Sequence, residues 1–203
     1  AYSCTAQYRR SLVMVPTGPE TGYVVDLFEV TGGGTHDYLL HGSADIEQEL
    51  RTELPLAMAE GEMGDDGEGR VPYAYLKNTQ AADVEGDVLV QFVGKGTTTD
   101  VRYLDADGAR LLVSDGPSIR RAQEDDGKLD DYWMKAICLR REATESRFVS
   151  VVEAHREGAR IQGAEVLHQG QDGVLLRVEE SGRVRFIGIS PNGRGLSATL
   201  PAG

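Results

Sequence analysis

Short runs of Val, Leu, Ile and aromatic residues recur along this chain, each closed by Gly, Asp or Asn. The first seven are SLVMV (11–15), YVVDLFEV (23–30), DYLLHG (37–42), VPYAYL (71–76), DVLVQFV (87–93), DVRYL (100–104) and ARLLVS (109–114). Five follow: YWMKAICLRR (132–141), RFVSVVEAH (147–155), AEVLHQ (164–169), GVLLRVEE (173–180) and RVRFIGIS (183–190). Turn signals such as TGPETG, TGGGT, DADG, SDGP, GQDG, ESGR and SPNGRG separate them. Strands of this length and spacing predict an all-β fold, a large antiparallel two-sheet β-sandwich with little helix. DADG, QDG and ESG are expected as hairpin turns, with Gly taking the positive φ angle. SADIEQELRTEL (43–54) offers a helical spacing at Ser43, Ile46 and Leu50 that also fits a strand.

The strands carry a second message. A strand with one wet face alternates cleanly between apolar and polar residues. In YVVDLFEV, Val24, Phe28 and Val30 point one way, while Tyr23, Val25 and Leu27 point the other. Both faces therefore want cover, from a third layer or from a neighbouring domain. No linker or repeat divides the chain, so residues 1–203 are expected as a single domain. AEGEMGDDGEGR (59–70) and AQEDDGKLDD (122–131) are acidic, Gly-containing stretches expected as mobile loops.

Charge narrows the partners. A formal charge of −12 repels a phosphate backbone, which argues against nucleic acid, though a local basic groove could still meet an acidic polysaccharide. No apolar run reaches the length of a membrane span. The opening AYSCTAQYRR lacks the basic lead and apolar core of a signal peptide and reads as a strand entered midway. Cys4 and Cys138 are expected as buried thiols rather than a disulfide.

HDYLLH (36–41) gathers two of the four histidines. Alternation along a strand sends His36 and His41 to opposite faces, and Asp37 and His41, on one face, stand roughly 13 Å apart. A metal ion about 2 Å from each ligand cannot join them, so no metal site is expected here. VTGGGTH before it is expected as a hairpin loop. His41, with Tyr38 near it, is the candidate to face a groove or a missing domain. Arg9 and Arg10, like Arg140 and Arg141, suit either an anionic sugar or a carboxylate across the sheet, the latter being favoured. Asp105 and Asp107 begin like a calcium loop but lack its remainder, and are assigned to turn chemistry. The acidic EDDGKLDD is read as a solvated loop rather than a calcium site. His155 and His168 are expected to be structural, and Tyr132 and Trp133 to pack in the core. Ser11, Ser146 and Ser150 have no nucleophile-elbow context.

YRRSLVMV (8–15) followed by YVVDLFEVTGGGTHDYLLHG (23–42) resembles the C-terminal β-sandwich region of heparinase II/III-like polysaccharide lyases. CLRREATESRFVSVVEAH (138–155) is similar to a second stretch of that family. The resemblance implies a supersandwich-like domain from a bacterial lyase that cleaves uronate-containing polysaccharides by β-elimination. In such enzymes a Tyr and a His placed by an α/α toroid move the protons. No long amphipathic helix for a toroid is present, so the chain is expected to be the C-terminal fragment of a larger lyase and inactive alone. The toroid is its implied partner, and the parent protein is expected in the periplasm or outside the cell. Zinc is implied for the parent, with its ligands expected upstream of Ala1, and no cofactor is expected in this fragment. Catalytic residues are not expected here. Substrate or interface candidates are His36, Tyr38, His41, Arg9 and Arg10. The alternative is a non-catalytic carbohydrate-binding or structural β-sandwich module.

Overall fold

The computed structural model of the chain describes residues 5–64, 72–118, 131–193 and 195–196. The strands are β1 (Gln7–Pro16), β2 (Gly22–Thr31), β3 (Thr35–His41), β4 (Gln48–Arg51), β5 (Ala57–Met58), β6 (Lys77–Asp83) and β7 (Val88–Gly94). They continue as β8 (Thr97–Leu104), β9 (Arg110–Pro117), β10 (Trp133–Glu142), β11 (Glu145–His155), β12 (Ile161–Gly170), β13 (Gly173–Glu180) and β14 (Arg183–Ile189). All pairings are antiparallel. A six-stranded sheet runs β1-β2-β11-β8-β7-β4, a five-stranded sheet β3-β10-β9-β6-β5, and a three-stranded sheet β12-β13-β14. The first two make the expected sandwich.

Its construction differs from a stack of hairpins. β2 leads to β3, β4 to β5, β6 to β7, β8 to β9 and β10 to β11, and each pair divides between the two large sheets. The neighbours β2, β11, β8, β7 and β4 therefore face β3, β10, β9, β6 and β5 in the same order. One end of the sandwich is a row of five such arches. TGGGT and DADG are thus crossings between sheets, not the expected hairpin turns. QDG and ESG are hairpins, with Gly170 opposite Gly173 and Glu180 opposite Arg183. Gly32 and Gly33, at φ 94° and 84°, turn the chain through a region that side chains resist. Neighbouring arches are zipped by backbone bonds: Gly32 N to Thr144 O at 2.8 Å, and Ala143 N to Gly34 O at 2.9 Å.

The two apolar faces of β2 find separate cores. Phe28 and Val30 join Tyr38, Tyr103, Leu139 and Phe148 between the large sheets. Tyr23, Val25 and Leu27 join Val149, Val151, Leu176 and Val178 beneath the small sheet. The chain supplies its own third layer. Each such side chain, fully buried, contributes roughly 1.5–3 kcal/mol. A third cluster, Ala59, Met63, Ala81, Leu112 and Cys138, covers the outside of the five-stranded sheet.

Several local expectations change. Ala59 and Met63 of the acidic stretch 59–70 are buried, because the outer face of β9 and β10 is apolar at Leu112 and Cys138. Residues 65–70, and nearly all of 122–131, lie outside the described residues. The 43–54 window holds β4 and no helix, since Leu50 is drawn toward the core between the large sheets and pairs with Phe92. VPYAYL is largely a 3-10 turn, Pro72–Tyr75, rather than a strand. Cys138 is a buried free thiol, pushed up in pKa by burial and then by Asp37, while Cys4 lies outside the described residues.

Candidate functional site

The candidate residues sit at the margin where β1 and β2 meet β3, and alternation decides where each points. In β3, His36 and Tyr38 turn inward and are buried, while Asp37 and Leu39 turn outward with the exposed His41. The expected opposition of His36 and His41 is observed. Tyr38, however, is separated from His41 by the sheet itself, so the two do not share a groove.

Arg10 and Tyr38 meet over one carboxylate. Asp26, 2% exposed, accepts from Arg10 Nε at 2.9 Å, Arg10 Nη2 at 2.5 Å and the Tyr38 hydroxyl at 2.6 Å. Arg10 Nη2 also reaches the Tyr38 oxygen at 3.1 Å, and Ser150 Oγ lies 3.2 Å away. The Arg10 guanidinium stands 4.9 Å from the centre of the Tyr38 ring. Burial, then the Asp26 charge, pushes the Tyr38 hydroxyl well above its ordinary pKa. The Asp26 bond and a smaller set of contacts hold Arg10 protonated. A phenol so disfavoured as phenolate is a poor base but a firm hydrogen-bond donor.

Arg9 makes the favoured pairing with a carboxylate across the sheet: Nε and Nη2 bond Glu29 at 2.9 and 2.7 Å, and Arg147 approaches Glu29 from the other side at 3.1 Å. Registry explains this, because Arg9, Glu29 and Arg147 lie directly across three adjacent strands. Arg140 likewise pairs with Asp37 across β10 and β3, at 2.7 and 2.8 Å. Burial pushes Asp37 up, but Arg140 and the Tyr73 hydroxyl outweigh it and hold the carboxyl below its usual range. Among the described residues Arg141 finds no carboxylate, contrary to the pairing favoured for it. It donates to the Arg147 carbonyl at 2.9 Å and to that of Asp105, above the Phe148 ring.

His36 is the pivot of its arch. Its Nε2 lies 2.7 Å from the Gly32 carbonyl and its Nδ1 2.7 Å from Ser146 Oγ. A carbonyl oxygen only accepts, so Nε2 carries the proton and Nδ1 faces the hydroxyl. In an open cleft a serine beside an imidazole suggests a nucleophile and its base. Here both are buried, at 3% and 4% exposure, and the pair ties one arch to the next. A cleft of about 270 Å³ between Tyr8, Phe28, Gly33, Asp37 and Tyr73 touches only the margin of His36. His41 is held merely by a contact of Nδ1 with the Gly42 carbonyl at 2.8 Å.

One pairing had no sequence signal. Asp100, 2% exposed, accepts from Gln91 Nε2 at 2.8 Å and stands 3.3 Å from His155 Nε2. His155, but not Asp100, lines a second cleft of about 510 Å³ with Glu20, Thr97, Arg156 and Arg160. The partners are 55 residues apart, and only the β8–β11 register brings them together. His168 pairs with Asp172 at 2.9 Å across its hairpin. Trp133 is half-buried, with Lys77 Nζ 4.6 Å above its ring. Asp105 and Asp107 serve the arch, Asp107 accepting from the Gly86 amide at 2.7 Å. Among the described residues no group of three or more His, Cys, Asp or Glu side chains converges as a metal site. No residue here is therefore assigned to the zinc that the resemblance implies. Nor is any described helix long and apolar enough to cross a membrane.

No protein-family description and no curated protein matches the chain. Solved structures do. Heparan sulfate lyase HepC from Pedobacter heparinus matches at 12% identity and a TM-score of 0.44, over 92% of this chain and 27% of that one. A mutant of the same lyase matches at 11% identity and the same TM-score. The chain thus spans about a quarter of the length of those proteins.

Proposed function

We propose that the chain is a non-catalytic β-sandwich domain of a heparinase II/III-like polysaccharide lyase. In the whole protein it packs against an α/α toroid and lines one wall of a cleft for a uronate-containing polysaccharide. The observation that carries this reading is the destination of the resembling residues. Arg9, Arg10, His36 and Tyr38 each have partners on another strand or arch, and Tyr38, Arg10 and Asp26 close on one another. Groups held this way position a wall rather than move protons. His41, on the outer face of β3, remains accessible for a contact beyond the domain.

The test uses the purified chain with heparan sulfate and with alginate. The expected result is no unsaturated uronide, followed by absorbance of the new double bond, and retarded migration of the chain in native gels containing a polyuronate. Sustained uronide release by the chain alone, or migration indifferent to both polysaccharides, overturns the proposal.

A further inference from the structure

The sheets of the sandwich are unequal, and the difference lies entirely at β1. Every other strand of the six-stranded sheet faces its arch partner in the five-stranded sheet, whereas β1 faces no strand among the described residues. Registry with Phe28 and Val30 turns Tyr8, Arg10, Leu12 and Met14 toward the place where a sixth strand would lie. Tyr8, Leu12 and Met14 are accordingly 59%, 63% and 70% exposed. Tyr8 already meets Phe28 edge-on at 4.9 Å, so this ledge continues the core between the sheets.

The floor beside the ledge is the free edge of β3. The Gly42 amide bonds the Lys135 carbonyl at 2.8 Å, and Ala143 bonds Gly34 at 2.9 Å, so the even-numbered residues face β10. The amides and carbonyls of Thr35, Asp37, Leu39 and His41 then point outward, and no described strand pairs with them. At the opposite margin the edges are blunted by strands of only four and two residues, a usual guard against pairing. Here β1 and β3 are ten and seven residues long, and β3 carries neither Lys nor Pro.

We propose that this margin binds an extended strand from a different polypeptide, paired to β3 and seated under β1. Its inward side chains are apolar where they meet Tyr8, Leu12 and Met14, with one hydrogen-bond acceptor opposite Arg10. That acceptor has a donor waiting, because among the described residues Arg10 uses Nε and Nη2 on Asp26 and Tyr38 but not Nη1. A second copy does not supply the strand by antiparallel edge pairing. The two-fold axis would drive β1 of each copy into β2 of the other. The proposal is independent of the polysaccharide reading, since it concerns a peptide and not a glycan.

The probe is a fluorescein-labelled ten-residue peptide alternating valine with threonine, with one central valine replaced by glutamate. A proline-interrupted version is the control. Anisotropy is expected to show binding of the first peptide only, with slowed amide exchange at Leu39. Leu12→Asp, and Leu39→Pro at an outward-pointing amide, should each weaken binding at least tenfold while leaving the urea midpoint nearly unchanged. Absence of binding, or equal binding by both variants, overturns the proposal. So does a homodimer that Leu12→Asp converts to monomer, since the second copy would then be the occupant.

Discussion

Tyr38 and Tyr103 lie edge to face, 5.3 Å apart, in one core, but their hydroxyls are placed differently. The Tyr38 oxygen has Asp26, Arg10 and Ser150, whereas the buried Tyr103 oxygen has no partner among the described residues. Urea unfolding should separate them. Tyr38→Phe is expected to cost about 1–2 kcal/mol, and Tyr103→Phe to raise stability by about 1 kcal/mol by removing an unpaired group. Asp105 gives a prediction of the same kind at the arches. Burial, then Asp87 and Asp107, raises its pKa, and a group raised on folding opposes stability once it ionises. Asp105→Asn should therefore stabilise the chain at pH 7 and leave it unchanged near pH 3. The site is open to solvent, so the gain is ~0.5 kcal/mol or less. Asn also suits the φ of 49° found there.

At the scale of elements, the third sheet depends on one tight turn. Gly173 has a φ of 144°, and a Cβ there would stand 2.1 Å from the Ile189 carbonyl oxygen, whereas at Gly182 a Cβ meets nothing within 4 Å. Thermal unfolding should report a loss of at least about 1–3 kcal/mol for Gly173→Ala and a smaller one for Gly182→Ala. Turns and strands were legible in the sequence to different depths. QDG and ESG join strands that bond to each other, so local chemistry was sufficient. DADG and TGGGT carry the same glycine signal, yet whether a turn folds back or crosses over is decided by β11 and β10, more than a hundred residues from β2. β6 escaped notice for a different reason. KNTQAAD lacks β-branched apolar residues, and its place comes from β5 and β9 on either side. The two-faced pattern of YVVDLFEV did foretell cover on both sides, though not that residues 161–189 provide it.

For the whole molecule, alternation fixed which face of β3 each candidate occupies, and the cross-strand carboxylates favoured for Arg9, Arg10 and Arg140 are found, whereas Arg141, given the same expectation, meets backbone carbonyls instead. Partners chosen by distant registry, such as Ser146 for His36 and Asp100 for His155, had no sequence signal. The resulting charge lattice sets the response to acid. Asp37 and Glu180 are both held below their ordinary range against the effect of burial, Asp37 by Arg140 and Glu180 by Arg183 and Tyr23. A depressed carboxylate stabilises the fold above its unfolded pKa, near 4, and loses that contribution as pH falls through the folded value. The urea midpoint should hence fall below about pH 4, and Arg140→Gln should flatten part of that fall. If the resembling polar residues bind the sheets together, Asp26 is where they do so, because Arg10 and Tyr38 both donate to its carboxylate. Asp26→Asn removes the charge and turns one of the two acceptor oxygens into a donor. Its unfolding free energy is expected to fall by about 3 kcal/mol or more, and stability equal to that of the unaltered chain would contradict this.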